Sequence, residues 1–237
     1  MFRLLALLLV AAPATAQIVT DRPDRTESPS AVAGLQVETG VLVEYEEDGG
    51  AETVDVAGAR ALVRIGLVPG VEARVALPDY RVLDLGGDEV TGFTDPSVGA
   101  KAELGALSGW DLAALAEVSL PVGDDAFSGA ASPLVLLIAG RDLGGLSLGT
   151  QAETRWDREL DRVDVGGTFV VGIDLTDALG AFAEVAAETT PGDPAVVVQF
   201  GTTLLVTPDL QLDAFLGAGA SGPTPDVLGG VGVSGRF

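Results

Sequence analysis

The side chains of this sequence that are equipped for chemistry are carboxylates and guanidiniums. Asp and Glu number 35 against 13 Lys and Arg, a net charge of −22, and there is neither His nor Cys. Without His there is no Ser-His or Cys-His nucleophile and no imidazole-built zinc centre. Without Cys there is no disulfide and no thiolate ligand. Catalysis would fall to paired acids, of which Glu184 with Glu188 and Asp157 with Asp161 are examples. Glycoside hydrolysis needs a fixed carboxyl separation and one raised pKa, which spacing along a chain does not supply. Asp124-Asp125 and Glu46-Glu47-Asp48 offer oxygen ligands, but neither matches a calcium-loop spacing, so they read as solvated acidic loops. No catalytic residue, metal ligand or cofactor is assigned. The acidic excess repels phosphate backbones, so no nucleic-acid partner is expected.

What the charges do have is a side. From Leu35 the chain alternates apolar and polar residues almost without pause, the period-two pattern of strands whose faces meet different surroundings. In the first run Leu35, Val37, Thr39, Val41, Val43 and Tyr45 oppose Gln36, Glu38, Gly40, Leu42 and Glu44. Further runs begin near Ala59, Val71, Val98, Leu112, Pro133, Leu146, Asp164, Ala181, Val196, Leu210 and Val227. The Pro133–Arg141 run is apolar on both faces, and residues 79–96 read as one long loop. The polar faces carry Arg60, Arg64, Arg74 and Lys101 on neighbouring early strands, with Glu72 and Glu103 between them. Glu117, Asp164, Glu184, Glu188, Asp213 and Arg236 lie on the corresponding faces of later strands.

These runs make about 12 strands, with short turns alternating with longer, more acidic loops, as in outer-membrane barrels. Runs of about ten residues suit a tilted crossing of a bilayer. The last run, Val227–Phe237, alternates to the end of the chain and stops on an aromatic. A terminal strand leaves an open edge unless it pairs with the first, so closure is the economical answer. The expected fold is all-β: a closed antiparallel up-and-down transmembrane β-barrel, covering residues 34–237, with Phe237 as its assembly signal. Aromatics at 5% are sparse for the usual interfacial girdles. Arg3, the apolar run Leu4–Ala12 and Ala14-Thr15-Ala16 give residues 1–16 the form of a secretory signal peptide. That run is too short to cross a bilayer as a helix. Residues 17–33 form an extended lead segment, where Pro23 and Pro29 disfavour helix and central strand alike.

In that lead, Thr20-Asp21-Arg22-Pro23-Asp24, Thr26-Glu27-Ser28-Pro29 and Gly34–Gly40 resemble the opening of the MetA-pathway phenol-degradation family of outer-membrane β-barrel transporters. Asp95-Pro96-Ser97-Val98-Gly99-Ala100-Lys101 is similar to that family's mid-chain strand, an Asp-x-x-x-Gly-x-Lys pattern. The resemblance implies a channel or transporter and carries over no catalytic residue. Asp21, Arg22 and Asp24 would either anchor the lead at the barrel mouth by ion pairs or act as a plug or gate.

The function expected is a channel in the outer membrane passing small solutes, aromatic or anionic ones among them, through a polar lumen. Its partners would be outer-membrane lipid, the barrel-assembly machinery and the solute. If the lumen is open, the basic wall would form a stripe for a carboxylate or phenolate. If the groups pair across it, the barrel would be filled and serve as a structural or docking protein. A soluble secreted β-protein is the remoter alternative.

Overall fold

Fifteen strands and no helix make up the computed structural model, which describes residues 18–158, 160–189 and 194–237. The signal-peptide reading of residues 1–16 lies outside the described residues, as do residue 159 of the Asp157–Asp161 loop and most of the Thr190–Pro194 loop.

Twelve of the strands close a ring. They are β1 (Leu35–Asp48), β3 (Leu62–Val68), β4 (Val71–Ala76), β7 (Ser97–Leu107), β8 (Trp110–Ser119), β9 (Pro133–Asp142), β10 (Leu146–Asp157), β11 (Arg162–Asp174), β12 (Leu179–Glu188), β13 (Ala195–Thr207), β14 (Leu210–Ser221) and β15 (Val227–Arg236). Neighbours are antiparallel throughout, and β15 returns to β1 in register from Gln36↔Arg236 to Tyr45↔Val227. The Phe237 amide adds a last bond to the Leu35 carbonyl at 2.8 Å. Closure leaves no ring strand with an unpaired edge.

The alternation decides which residues face out. On β9 Val135 and Leu137 are exposed, while Leu136 and Ile138 between them are buried. The same division puts Val185, Phe200, Leu212 and Leu216 outside and Glu184, Gln199, Gln211 and Asp213 inside. An apolar outside around a polar inside is the inverse of a soluble protein and fits a lipid solvent. The double apolar face of β9 is explained by an inner cluster of Ala113, Leu115, Leu136 and Ile138.

The remaining strands, β2 (Ala51–Gly58), β5 (Tyr80–Asp84) and β6 (Glu89–Phe93), lie outside the ring. They continue ring strands upward. Between Glu38↔Leu62 and Leu42↔Ala57 the second strand gains one residue over its partner, a bulge at which Ala59 and Arg60 have positive φ. The β2–β5 and β5–β6 registers run on from β3–β4 and β4–β7 without a shift across the interruption. The stretch 79–96, expected as loop, therefore contains a hairpin. Its strands are too short and too mixed in pattern to stand out, and they form by adding β5 to β2, which itself pairs with the extended end of β1.

Short turns at residues 69–70, 108–109, 143–145, 175–178 and 208–209 gather at one end of the ring, with Leu35 and Phe237. The hairpins and longer loops gather at the other. By the asymmetry of outer-membrane barrels the first end is periplasmic and the second extracellular.

Candidate functional site: the lumen and the segment inside it

The lead runs inside the barrel. Its two prolines keep it out of the sheet, so its amides need acceptors other than strand carbonyls. Wall side chains supply them. Ile18 donates to Gln211 Oε1 at 3.2 Å, Asp21 to Glu38 at 3.0 Å, and Arg25 and Thr26 to Glu184 at 2.9 and 2.8 Å. Glu27 donates to Gln151 at 2.8 Å, Ala31 to Glu103 at 2.9 Å and Val32 to Glu72 at 2.7 Å. The acceptors sit in turn on β14, β1, β12, β10, β7 and β4, so the lead circles the inner wall before entering β1. Pro29 packs on Gly140 of β9 during that circuit.

Asp21 is the hub. Its carboxylate lies 3.0 Å from Arg64, 2.6 Å from Arg74 and 3.1 Å from Lys101. Glu27 takes both terminal nitrogens of Arg74 at 2.7 Å, and Glu72 and Glu38 close on Arg64 at 2.9 and 3.0 Å. Burial opposes ionisation of Asp21, yet Lys101, Arg64 and Arg74 hold its carboxyl well below the ordinary range. Burial, with Asp21 beside it, pushes the Glu27 carboxyl up to about 7 against the pull of Arg74 and Lys101. Burial and then Glu184 push Asp24 well above its usual value.

Arg22 anchors the lead at the β14–β15–β1 wall. It donates to Asp213 at 3.1 Å and to the Val231 carbonyl at 3.3 Å. Its guanidinium lies across Gly40 and Gly232, which face each other in register; a Cβ on either would collide with it. The Arg22–Pro23 bond is cis, and Pro23 is buried.

The structure places the other expected site residues as follows. Arg60 sits in the β2–β3 bulge, 3.9 Å from Asp79, and lines the space above the lead. Glu117 accepts from Ser97 at 2.8 Å, and Asp164 pairs with its own strand's Arg162 at 2.9 Å. Glu188 lies 3.9 Å from Arg25. Arg236 is at the periplasmic rim, 2.8 Å from Asp209. Arg64, Arg74 and Lys101 come together around carboxylates of the lead and of β1 and β4 rather than around an open path. Glu38, Gln151 and Gln211 were not singled out in the sequence. Their inward parity was visible, but their role depends on where the lead runs.

Above the lead is a cavity of about 580 Å³ on the extracellular side, floored by Asp21–Glu27 and walled by β1, β8, β9, β10, β12, β13, β14 and β15. A larger groove of about 730 Å³ is lined by Val41, Leu204, Leu212, Ala214 and Val231 on the outer, lipid-facing surface. We take the first as the functional site, because it lies among the charged side chains of the lumen, whereas the second opens to the bilayer and is lined mainly by apolar residues.

A family model described as “Putative MetA-pathway of phenol degradation” matches residues 20–237. No curated protein matches the sequence. Among solved structures, the COG4313 outer membrane channel from Pseudomonas putida F1 is similar with a TM-score of 0.68 at 13% identity, over 92% of this chain and 100% of that one. The KdgM porin in complex with disordered oligogalacturonate gives a TM-score of 0.60 at 9% identity, over 85% and 99%. The translocator domain of the autotransporter NalP from Neisseria meningitidis gives 0.55 at 16%, over 86% and 88%. At such identities these likenesses speak for the fold.

Proposed function

This chain belongs to the family described as “Putative MetA-pathway of phenol degradation”, and on that premise we propose that it passes small solutes across the outer membrane through the barrel lumen. The observation that carries the reading is the cavity of about 580 Å³, entered from the extracellular side and stopped by the lead rather than by the wall. A barrel filled for structural reasons alone would be closed by wall side chains from both sides. Here the obstruction is a separate segment, held by hydrogen bonds and ion pairs that can exchange for water. Passage then requires the lead to shift. Asp21, Arg22, Pro23 and Asp24 act in this reading as the body of a plug, and Glu38, Glu184, Asp213, Arg64, Arg74 and Lys101 as its seat.

The assignment includes no catalysis. Residues 1–16 serve as the export signal, Phe237 is read by the barrel-assembly machinery, and lipid covers the outer wall. Conductance in planar bilayers tests the proposal. The full chain should show small or intermittent conductance, and a variant lacking residues 18–33 should show a larger, steady one. If neither conducts, the passage reading fails and the filled barrel for structure or docking replaces it.

A further inference from the structure

Most of the positive charge lining the cavity above the lead is already paired. Three of its four arginines are engaged: Arg22 by Asp213 at 3.1 Å, Arg25 by Glu188 at 3.9 Å and Arg60 by Asp79 at 3.9 Å. Among the described residues Arg155 has no salt bridge and is the one arginine of the lining left so. Against it stand Asp24 and Glu44 with no cationic hydrogen-bond partner, and Glu153 and Glu117 with only the neutral donors Gln151 and Ser97. Beside these acids the wall is apolar, with Val197, Phe215 and Leu228 packed as one cluster and Leu134 and Leu136 on β9. An anion would meet carboxylates that, among the described residues, hydrogen-bond to no cation. A cation would supply the counter-charge they lack, at a site partly withdrawn from water, where such a contact is strongest.

We propose that this vestibule selects small organic cations, with a protonated amine at Asp24 and Glu153 and an apolar body on Val197, Phe215 and Leu228. Burial and the neighbouring Glu184 already disfavour the charged form of Asp24, as expected of a carboxyl awaiting a positive partner. The proposal rests on the passage reading only for the fate of the bound solute; binding itself requires no conduction.

Calorimetric titration of the detergent-solubilised full chain with two probes of like body and opposite charge, phenethylammonium and phenylacetate, tests it. Phenethylammonium should bind and phenylacetate should not. Asp24→Asn with Glu153→Gln should weaken phenethylammonium roughly ten- to a hundredfold, the loss of a charge-assisted contact. Asp111→Asn, at the far end of the barrel, should leave it unchanged. If the double variant fails to fold, judged by heat-modifiable migration, Glu44→Gln gives the same test at a rim position and should weaken binding in the same direction. Preference for phenylacetate, equal binding of the two, binding of neither, or insensitivity to these substitutions would overturn the proposal. A protein that binds phenethylammonium without conducting would retire the passage reading and leave this one standing.

Discussion

Asp21→Asn isolates the charge that seats the lead. Asn keeps an oxygen where Asp21 Oδ1 accepts from the Ser28 amide at 3.2 Å, so the local turn survives while the charge goes. The lost charge faces Arg64 at 3.0 Å, Arg74 at 2.6 Å and Lys101 at 3.1 Å, from a side chain only 2% exposed. Removing one partner of a buried ion pair costs about 3–5 kcal/mol, because the other charges stay buried. Glu27, Glu38 and Glu72 remain on the same cations, which argues for the low end, about 3 kcal/mol. If the strands are unaffected, that cost falls on docking of the lead and raises its undocked fraction about a hundredfold. The chain has no Cys, so a single Ser30→Cys gives a clean reporter. Its labelling by a membrane-impermeant maleimide should be slow in the parent and much faster with Asp21→Asn, with conductance rising in parallel. Equal labelling rates and equal conductance in the two proteins would show that the ion cluster does not hold the lead, and the seat described above would be wrong.

Gly40→Ala and Gly232→Ala should each expel the Arg22 guanidinium, break its contact with Asp213 and raise Ser30→Cys labelling without loss of the barrel, checked by heat-modifiable migration. Arg placed at Leu137 or Val185 on the outer wall should cost roughly 2–4 kcal/mol near the midplane in refolding titrations into bilayers, whereas Arg at lumen-lining Glu117 should cost far less; equal costs would refute the face assignment. Deleting Phe237, whose amide bonds to Leu35, should lower the folded fraction in membranes, and normal heat-modifiable levels would count against its role in assembly. Asp95 clasps the extracellular loop through Val122, Gly123, Ser128 and Gly129, and despite the cost of partial burial the Ser128 hydroxyl and these amides hold its carboxyl below the ordinary 3.8. A depressed carboxyl pKa stabilises the clasp above the unfolded value and loses it as pH falls through the folded one, so proteolysis within 120–132 by an acid-active protease should rise only below about pH 4, and should be high at all pH values in Asp95→Ala.

How much of this was legible beforehand differs from element to element. Strand β12 was readable because Glu184 and Val185 sit on opposite faces whatever the strand pairs with; period two is a local property of the backbone. The β5–β6 hairpin was not, because its strands are five residues each and are held by pairing of β5 with β2, which the bulge at Ala59 and Arg60 sets off from β3. The Asp95 pattern was visible as a resemblance, but not that Asp95 clasps a loop while Lys101 holds the lead. The basic wall was visible as Arg64, Arg74 and Lys101 on adjacent strands. What neutralises it was not, since the partners of that wall include Asp21 and Glu27, 43 to 80 residues away along the chain.

The sequence by itself determined the closed barrel: inside and outside follow from side-chain alternation, and strand number follows from turns and loops, both local. Only the tertiary structure decided what fills it. A lead with two prolines has no ladder to join, so its path is set by whichever inward acids and amides meet its amides once the ring has closed, and charge in the lumen is a sum over strands that are distant in sequence.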